Sequence, residues 1–531
     1  MKSLIRVILI LAVLVLAGFA ALQFWLGPKL EEQARLELAA LPEALAFSEL
    51  LRFEPLKVKS VEFSAFSRRL ILRGLELRGT MDLTAFEAGV EQQPRSAALN
   101  YTLEEASYRL PWRALLLFTP LRDMILPETG MMAVGEEMRI SNFVYSLNQG
   151  TVSARSVVRD QEAVDIRMES GLIRELLEQR KPSNMLNALY RIGIGEMRAS
   201  AMTSEMTIPE QGIKMDFSCD AMRIRNWEGR TIEEAVADGI VLKEKDRELM
   251  RLGNITEKRF TLPEEAAMQE LLTLLSQTKP DENALQALLL RIVTTGEPLL
   301  REISFSDLHF PLDGQALTFK KMALNWQSNT PLQYGLSVDA LSLPTPLLER
   351  ESDLAFPGLP ALVLDAKLGF TSGGDGGRHK GLLSAQHLGS LDYDFIMSAG
   401  SPLAGPQALF LSSYKDVNLK YTDQGLTAYL VRNVIPSAQG ATPALKAAIA
   451  ELCPGDTPEN AAVRDALETF VSRPGVLEVQ SRPGKTFRVF ELLAKLGGKD
   501  PGALLNVTAQ PGKESLEQQI SGLDATAAKA K

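Results

Sequence analysis

The hydrophobic pattern of this chain changes period along its length, and each change predicts an element. Residues 7–26 are apolar throughout except for Gln23, and Lys2 and Arg6 precede them. At about 1.5 Å per residue such a helix reaches about 30 Å, the depth of a bilayer core. Phe24 and Trp25 fall where interfacial aromatics sit, so the pattern predicts a transmembrane anchor over residues 1–28. Gly18-Phe19-Ala20 is a small-x-small candidate for signal-peptide cleavage. Hydrophobicity continues through Ala21, Leu22, Phe24 and Leu26 beyond it, which favours retention as an anchor. Either reading exports the remainder, and Lys2, Arg6 and the terminal amine favour a cytoplasmic N-terminus.

Leu30, Leu36, Leu38 and Leu41 on an Ala-rich background then predict a helical stalk over residues 29–55. From Leu56 the period becomes two, with Val58, Val61, Phe63, Leu70, Leu72, Leu75 and Leu77 set among charged positions. These are strands with one wet face, and residues 56–440 read as a β-rich exported region. Inside it lies a repeat. Ser204-Glu205-Met206-Thr207-Ile208-Pro209, followed by Gly212, Met215 and Phe217, matches Ser306-Asp307-Leu308-His309-Phe310-Pro311, followed by Gly314, Leu317 and Phe319, at an offset of 102 residues. The match resumes two to three residues out of step, with Met222, Ile224 and Trp227 against Met322, Leu324 and Trp326, as a bulge would produce. Each copy predicts strand, Pro-x-x-Gly turn, strand, and a third segment ending in Trp. Its apolar face must stack, curl or be covered.

Helical segments interrupt the strands. One carries Leu172, Ile173, Leu176 and Leu177 and breaks at Pro182. A hairpin over residues 261–294 opens with Thr261-Leu262-Pro263-Glu264 as a capping box. Thr442-Pro443 and Thr457-Pro458 start helices in an α-rich C-terminal module over residues 441–510, with a further helix over residues 486–496. The Gln-, Ala- and Lys-rich tail, residues 511–531, reads as disordered. The fold class expected is therefore α+β: an N-terminal transmembrane helix, an elongated, mostly antiparallel β-meander with inserted helices, and the small α-rich module.

Composition narrows the function. Asp and Glu outnumber Lys and Arg by 66 to 57, giving a net charge of −9, so no basic field recruits nucleic acid. Cys219 and Cys453 are too few for a metal cluster; they could form one bridge or remain two buried thiols. The three histidines, His309, His379 and His387, make no HExxH and no ligand set, so no metal site, cofactor or catalytic residue is assigned. Ser412-Ser413-Tyr414-Lys415 fits S-x-x-K, but it sits in a strand-like run without its companion motifs. Gly484-Lys485-Thr486 echoes a phosphate loop, yet Val479 stands where its first glycine belongs.

The anchor at residues 7–26, the strands over residues 58–77 and the paired units at Ser204 and Ser306 together resemble the AsmA-like group of bacterial envelope proteins in organisation. The resemblance implies a single-pass inner-membrane protein with its bulk in the periplasm, and a sheet whose apolar lining holds lipid tails. It transfers no functional residue. Lipid or hydrophobic-ligand binding is the leading expectation, with ligand-binding residues unknown. An envelope scaffold recruiting other proteins is the alternative, and an enzyme a distant third.

Overall fold

A computed structural model describes residues 22–45, 51–82, 96–119, 121–150, 152–179, 185–275, 282–294, 297–352, 354–373, 376–398, 412–435, 440–454, 457–488 and 500–530. The anchor at residues 7–26 lies almost wholly outside them. Among the described residues no helix is long and apolar enough to cross a membrane. The chain divides into two compact units between Arg301 and Glu302. In both, antiparallel strands paired in sequence order dominate, with several helices set among them.

The first unit begins with a π-helical turn, Leu22–Leu26, that runs into α1 (Gly27–Leu45). Ten strands follow: β1 (Leu51–Phe53), β2 (Lys57–Ser64), β3 (Arg69–Asp82), β4 (Ser96–Arg109), β5 (Met131–Asn148), β6 (Ser153–Glu169), β7 (Ile192–Ile208), β8 (Ile213–Glu228), β9 (Thr231–Glu244) and β10 (Arg247–Thr261). Both β1 and β2 pair with β3, and from β3 to β10 each strand pairs with the next. Leu51–Phe53 is thus a strand inside the span expected as a helical stalk; the Phe53 ring lies over Gly79, burying apolar surface that a solvated helix would leave in water. Between β4 and β5 run α2 (Trp112–Leu115), a 3₁₀ turn (Leu116–Phe118) and α3 (Arg122–Ile125). Later come α4 (Ser170–Gln179), α5 (Met185–Leu189), α6 (Glu265–Leu275) and α7 (Glu282–Thr294). Thr261 closes β10, paired with Thr231 of β9, instead of capping α6, and its N–H donates to the Leu299 carbonyl at 2.6 Å, which satisfies the backbone there.

The main hydrophobic cluster of this unit joins α1 to the short helices. Leu26 is fully buried and Leu30 nearly so, packed with Phe63, Leu110, Leu115, Leu117, Leu126, Met132 and Ile173.

A line of left-handed residues crosses the strands. Gly74 on β3, Asn142 on β5, Ala201 on β7 and Gly239 on β9 all have φ between 49° and 64°. They fall where the ladders skip a pair and then resume in unchanged register, for example between Ser141↔Asp160 and Phe143↔Val158. At this line the apolar period steps by three: Leu75 to Leu72, Leu103 to Ala106, Phe143 to Ile140, Met202 to Ala199, Cys219 to Met222. A single left-handed residue resets the pleat, so apolar side chains stay on one face while the strand bends. A second line, Asp165, Asn226 and Arg259 on β6, β8 and β10, repeats the device.

The second unit carries β11 (Leu300–Leu312), β12 (Gln315–Asn329), β13 (Leu332–Pro344), β14 (Ala361–Gly373), β15 (Gly376–Ala385), β16 (Gly389–Ser398) and β17 (Ser413–Asp423), each paired with the next. Then β18 (Val476–Ser481) and β19 (Thr486–Arg488) both pair with β17, and β20 (Leu505–Gln510) pairs with β18. Its helices are α8 (Thr345–Ser352), α9 (Leu426–Val434), α10 (Ala441–Leu452), α11 (Pro458–Ser472) and α12 (Leu516–Ala530).

Three expectations for the C-terminal region are corrected. Thr486–Arg488 is strand, not the start of a helix, because Phe487, 5% exposed, buries its ring beside Tyr414; residues 489–496 lie outside the described residues. The supposedly disordered tail contains α12, whose Leu516 and Ile520 are fully buried against Ala428 and Ala441. A stripe spaced by four gives a helix enough buried surface even on an Ala- and Lys-rich background. Thr457 caps α11 by accepting from the Asn460 N–H, whereas Thr442 lies inside α10, which Gly440 precedes.

Candidate functional site

The repeat copies occupy β7–β8 and β11–β12, one in each unit, and their hairpins differ. In the first, Ile208 pairs with Ile213 across a four-residue turn in which Gly212 is left-handed at φ 60°. In the second, Leu312 pairs with Gln315 across Asp313-Gly314, both at positive φ, a tight two-residue turn. The left-handed residues also sit at different places, Ala201 in one and Asp307 in the other. That difference in arm length is why the letters fall out of step beyond Phe217 and Phe319.

The kinks expose backbone groups, and nearby side chains satisfy them. The Cys219 thiol lies 3.3 Å from the carbonyl oxygens of both Ala221 and Asp238. Burial pushes its pKa up, so it is a neutral hydrogen-bond donor and a poor nucleophile. In the second unit Asp365 accepts the N–H of left-handed Ala340 at 2.7 Å. Both cysteines are buried free thiols.

What remains is the apolar face. In the first unit one cross-strand row, apolar but for Gln161, runs Val61, Leu72, Ala106, Ile140, Gln161, Ala199, Met222, Ala237, Ile255. A parallel row runs Phe63, Leu70, Tyr108, Met138, Ala163, Met197, Ile224, Ala235. Val61, Phe63 and Ala163 are buried, Phe63 against the helices, and the other members of the rows are partly exposed. Met206, Phe217 and Met222 are each 37% exposed, high for large apolar side chains in central strands. The opposite face is charged. Arg73 bonds Glu62 and Glu105 at 2.9 Å, Arg139 pairs with Glu137 and Glu162, and Arg198 and Arg225 share Glu196. The hydrogen bond from Arg198, aided by Arg225, holds the Glu196 carboxyl below the usual range. Such exposed pairs add little stability each, but they commit that face to water.

The second unit carries an aromatic row across seven strands: Trp326, Tyr334, Phe370, His379, Phe395, Tyr414 and Phe487, with neighbouring centroids 4.9 to 6.3 Å apart. His379 lies between Phe370 and Phe395, stacked on the latter at 5.0 Å. Its Nε2 and the Trp326 Nε1 are buried without a hydrogen-bond partner among the described residues. Burial lowers the His379 pKa, so the ring is neutral at pH 7 and acts as one more aromatic surface. On the same face Leu383 is 40% exposed. The row was not anticipated from sequence, although Trp326, Tyr334 and Phe370 stand at matching phases of successive strands.

The other motifs disperse. His309 is on β11, and His387 is a left-handed residue in the β15–β16 turn. Ser413-Tyr414-Lys415 begins β17 and pairs on both sides, and Gly484-Lys485 forms the turn into β19. Among the described residues no three His, Cys, Asp or Glu side chains converge as metal ligands. Comparisons with protein-family models, curated proteins and solved structures give no match to the chain.

Proposed function

We propose that this chain is a non-catalytic protein of the bacterial envelope, held in the inner membrane by residues 7–26, with its bulk in the periplasm. Its apolar sheet faces bind the hydrocarbon tails of lipids. The observation that carries the reading is the half-exposed apolar face of the first unit, set back to back with a lattice of ion pairs. A face of this kind needs an apolar occupant. At about 25 cal/mol per Å², a tail covering a few hundred Å² gains several kcal/mol. Methionines 138, 197, 202, 206, 215 and 222 lie on the face-forming strands, and their flexible thioethers adapt to chains of varied length and unsaturation. An anchor directly ahead of the first strands keeps the face beside a lipid source.

Lipid extraction from the purified full chain, followed by mass spectrometry, tests the reading. The double variant Phe217→Glu, Met222→Glu places two charges on exposed positions of the face and should reduce bound phospholipid several-fold with the circular dichroism spectrum unchanged. Absence of lipid from the wild-type chain, with proteins crosslinking to the same positions instead, would favour a scaffold role and overturn the proposal.

A further inference from the structure

Five large apolar side chains project into solvent around the first turns of the described chain: Phe24 is 82% exposed, Phe66 86%, Trp112 47%, Leu121 48% and Met124 85%. None belongs to the sheet face discussed above. Hydrogen bonds and packing tie them to one place. The Gln23 side chain donates to the Phe63 carbonyl and accepts from the Ala65 N–H, both at 2.7 Å, which pins the β2–β3 hairpin tip bearing Phe66 to the helical turn bearing Phe24. Arg68, also at that tip, donates to the Leu110 carbonyl at 2.9 Å and stacks 5.1 Å over the Trp112 ring. Arg113 reaches the Ile125 carbonyl at 3.3 Å, and Leu26, Leu115 and Leu126 share one buried cluster, so α3 with Leu121 and Met124 is held there too. The residue leaving the apolar run and the three exposed apolar tips are thus parts of a single packed assembly.

We propose that Phe24, Phe66, Trp112, Leu121 and Met124 form a landing surface that inserts into the interfacial layer of the bilayer carrying the anchor. This rests on the membrane anchorage proposed above. The occupant is a lipid surface because the assembly is built around the exit of the apolar segment: wherever residues 7–26 meet the headgroups, these side chains meet them as well. Large apolar and aromatic residues at such a level gain free energy by leaving water for the interface. Bound in this way, the first unit is fixed against the membrane instead of swinging from its anchor.

The full chain, reconstituted in phosphatidylethanolamine–phosphatidylglycerol vesicles, supplies the test. Phe66→Cys and Met124→Cys are each labelled with an environment-sensitive maleimide dye; Glu210→Cys, on the exposed turn between β7 and β8, is the control. Cys219 and Cys453, 2% and 1% exposed, are shielded from the reagent. Positions 66 and 124 should show blue-shifted emission and several-fold stronger quenching by brominated acyl chains than position 210. If the chain floats with the vesicles but all three positions report water, the landing surface is refuted while the anchor stands. If the chain does not float, the anchorage falls and the landing surface with it.

Discussion

Gly239→Ala tests whether the left-handed line holds the first unit together. Gly239 has φ +64°, and a Cβ built there lies 2.5 Å from Asp220 Cγ and 2.9 Å from Asp220 Cβ, with the carboxylate oxygen closer still. The left-handed conformation costs alanine about 1 kcal/mol, and overpacking against a side chain rooted in the neighbouring strand adds about 1–2 kcal/mol. Gly212→Ala is the reference: its φ is +60°, but the nearest atom to its Cβ is Lys245 Nζ at 3.8 Å, so only the conformational cost of about 1 kcal/mol applies. Urea unfolding in a Trp326→Phe background follows tryptophan fluorescence from the first unit alone. With a denaturant slope of about 2–3 kcal/mol per molar, Gly239→Ala should lower the midpoint by roughly 1 M and Gly212→Ala by less than half of that. Equal shifts would refute the close approach of Asp220 at the kink.

Two further outcomes concern the second unit. Because burial lowers the His379 pKa below its ordinary value of 6.5, the unfolded chain takes up that proton first as the pH falls. The stability contributed by neutral His379 is therefore complete above about pH 6.5 and is lost as the pH falls from there toward the lowered value. Comparing urea midpoints at pH 7.5 and 5.5 should show a smaller acid loss in His379→Phe than in the wild type, and identical losses would contradict the burial. Ile520→Ala removes a fully buried side chain from the packing of α12 on α9 and α10; it should cost about 2–4 kcal/mol and speed proteolysis near residue 516, whereas an unpacked tail would leave both unchanged.

Much of the meander is written locally. Alternation at Val61 and Phe63 and at Leu70 and Leu72, and the turn glycines Gly212 and Gly314, act over a few residues, and the corresponding strands and turns form where those signals stand; Pro182 lies outside the described residues. The kinks also leave a trace. Apolar positions step by three at Cys219–Met222 and Met202–Ala199, beside Asn, Asp or Gly on most of the affected strands, since those residues tolerate the left-handed region best. Ala201, Arg259 and Ala340 carry no such mark, because register with neighbouring strands imposes their conformation.

Sequence by itself determined the period of each segment, the wet and dry faces of the strands, and the apolar run ahead of them, for these depend on spacing along one chain. Tertiary structure alone decided that Phe487 joins a sheet and that Leu516 and Ile520 find a partner. It also decided that seven rings from Trp326 to Phe487 form one row. Those outcomes turn on contacts between residues far apart in the chain, where the free energy of burying a ring or an aliphatic stripe outweighs what its immediate neighbours prefer.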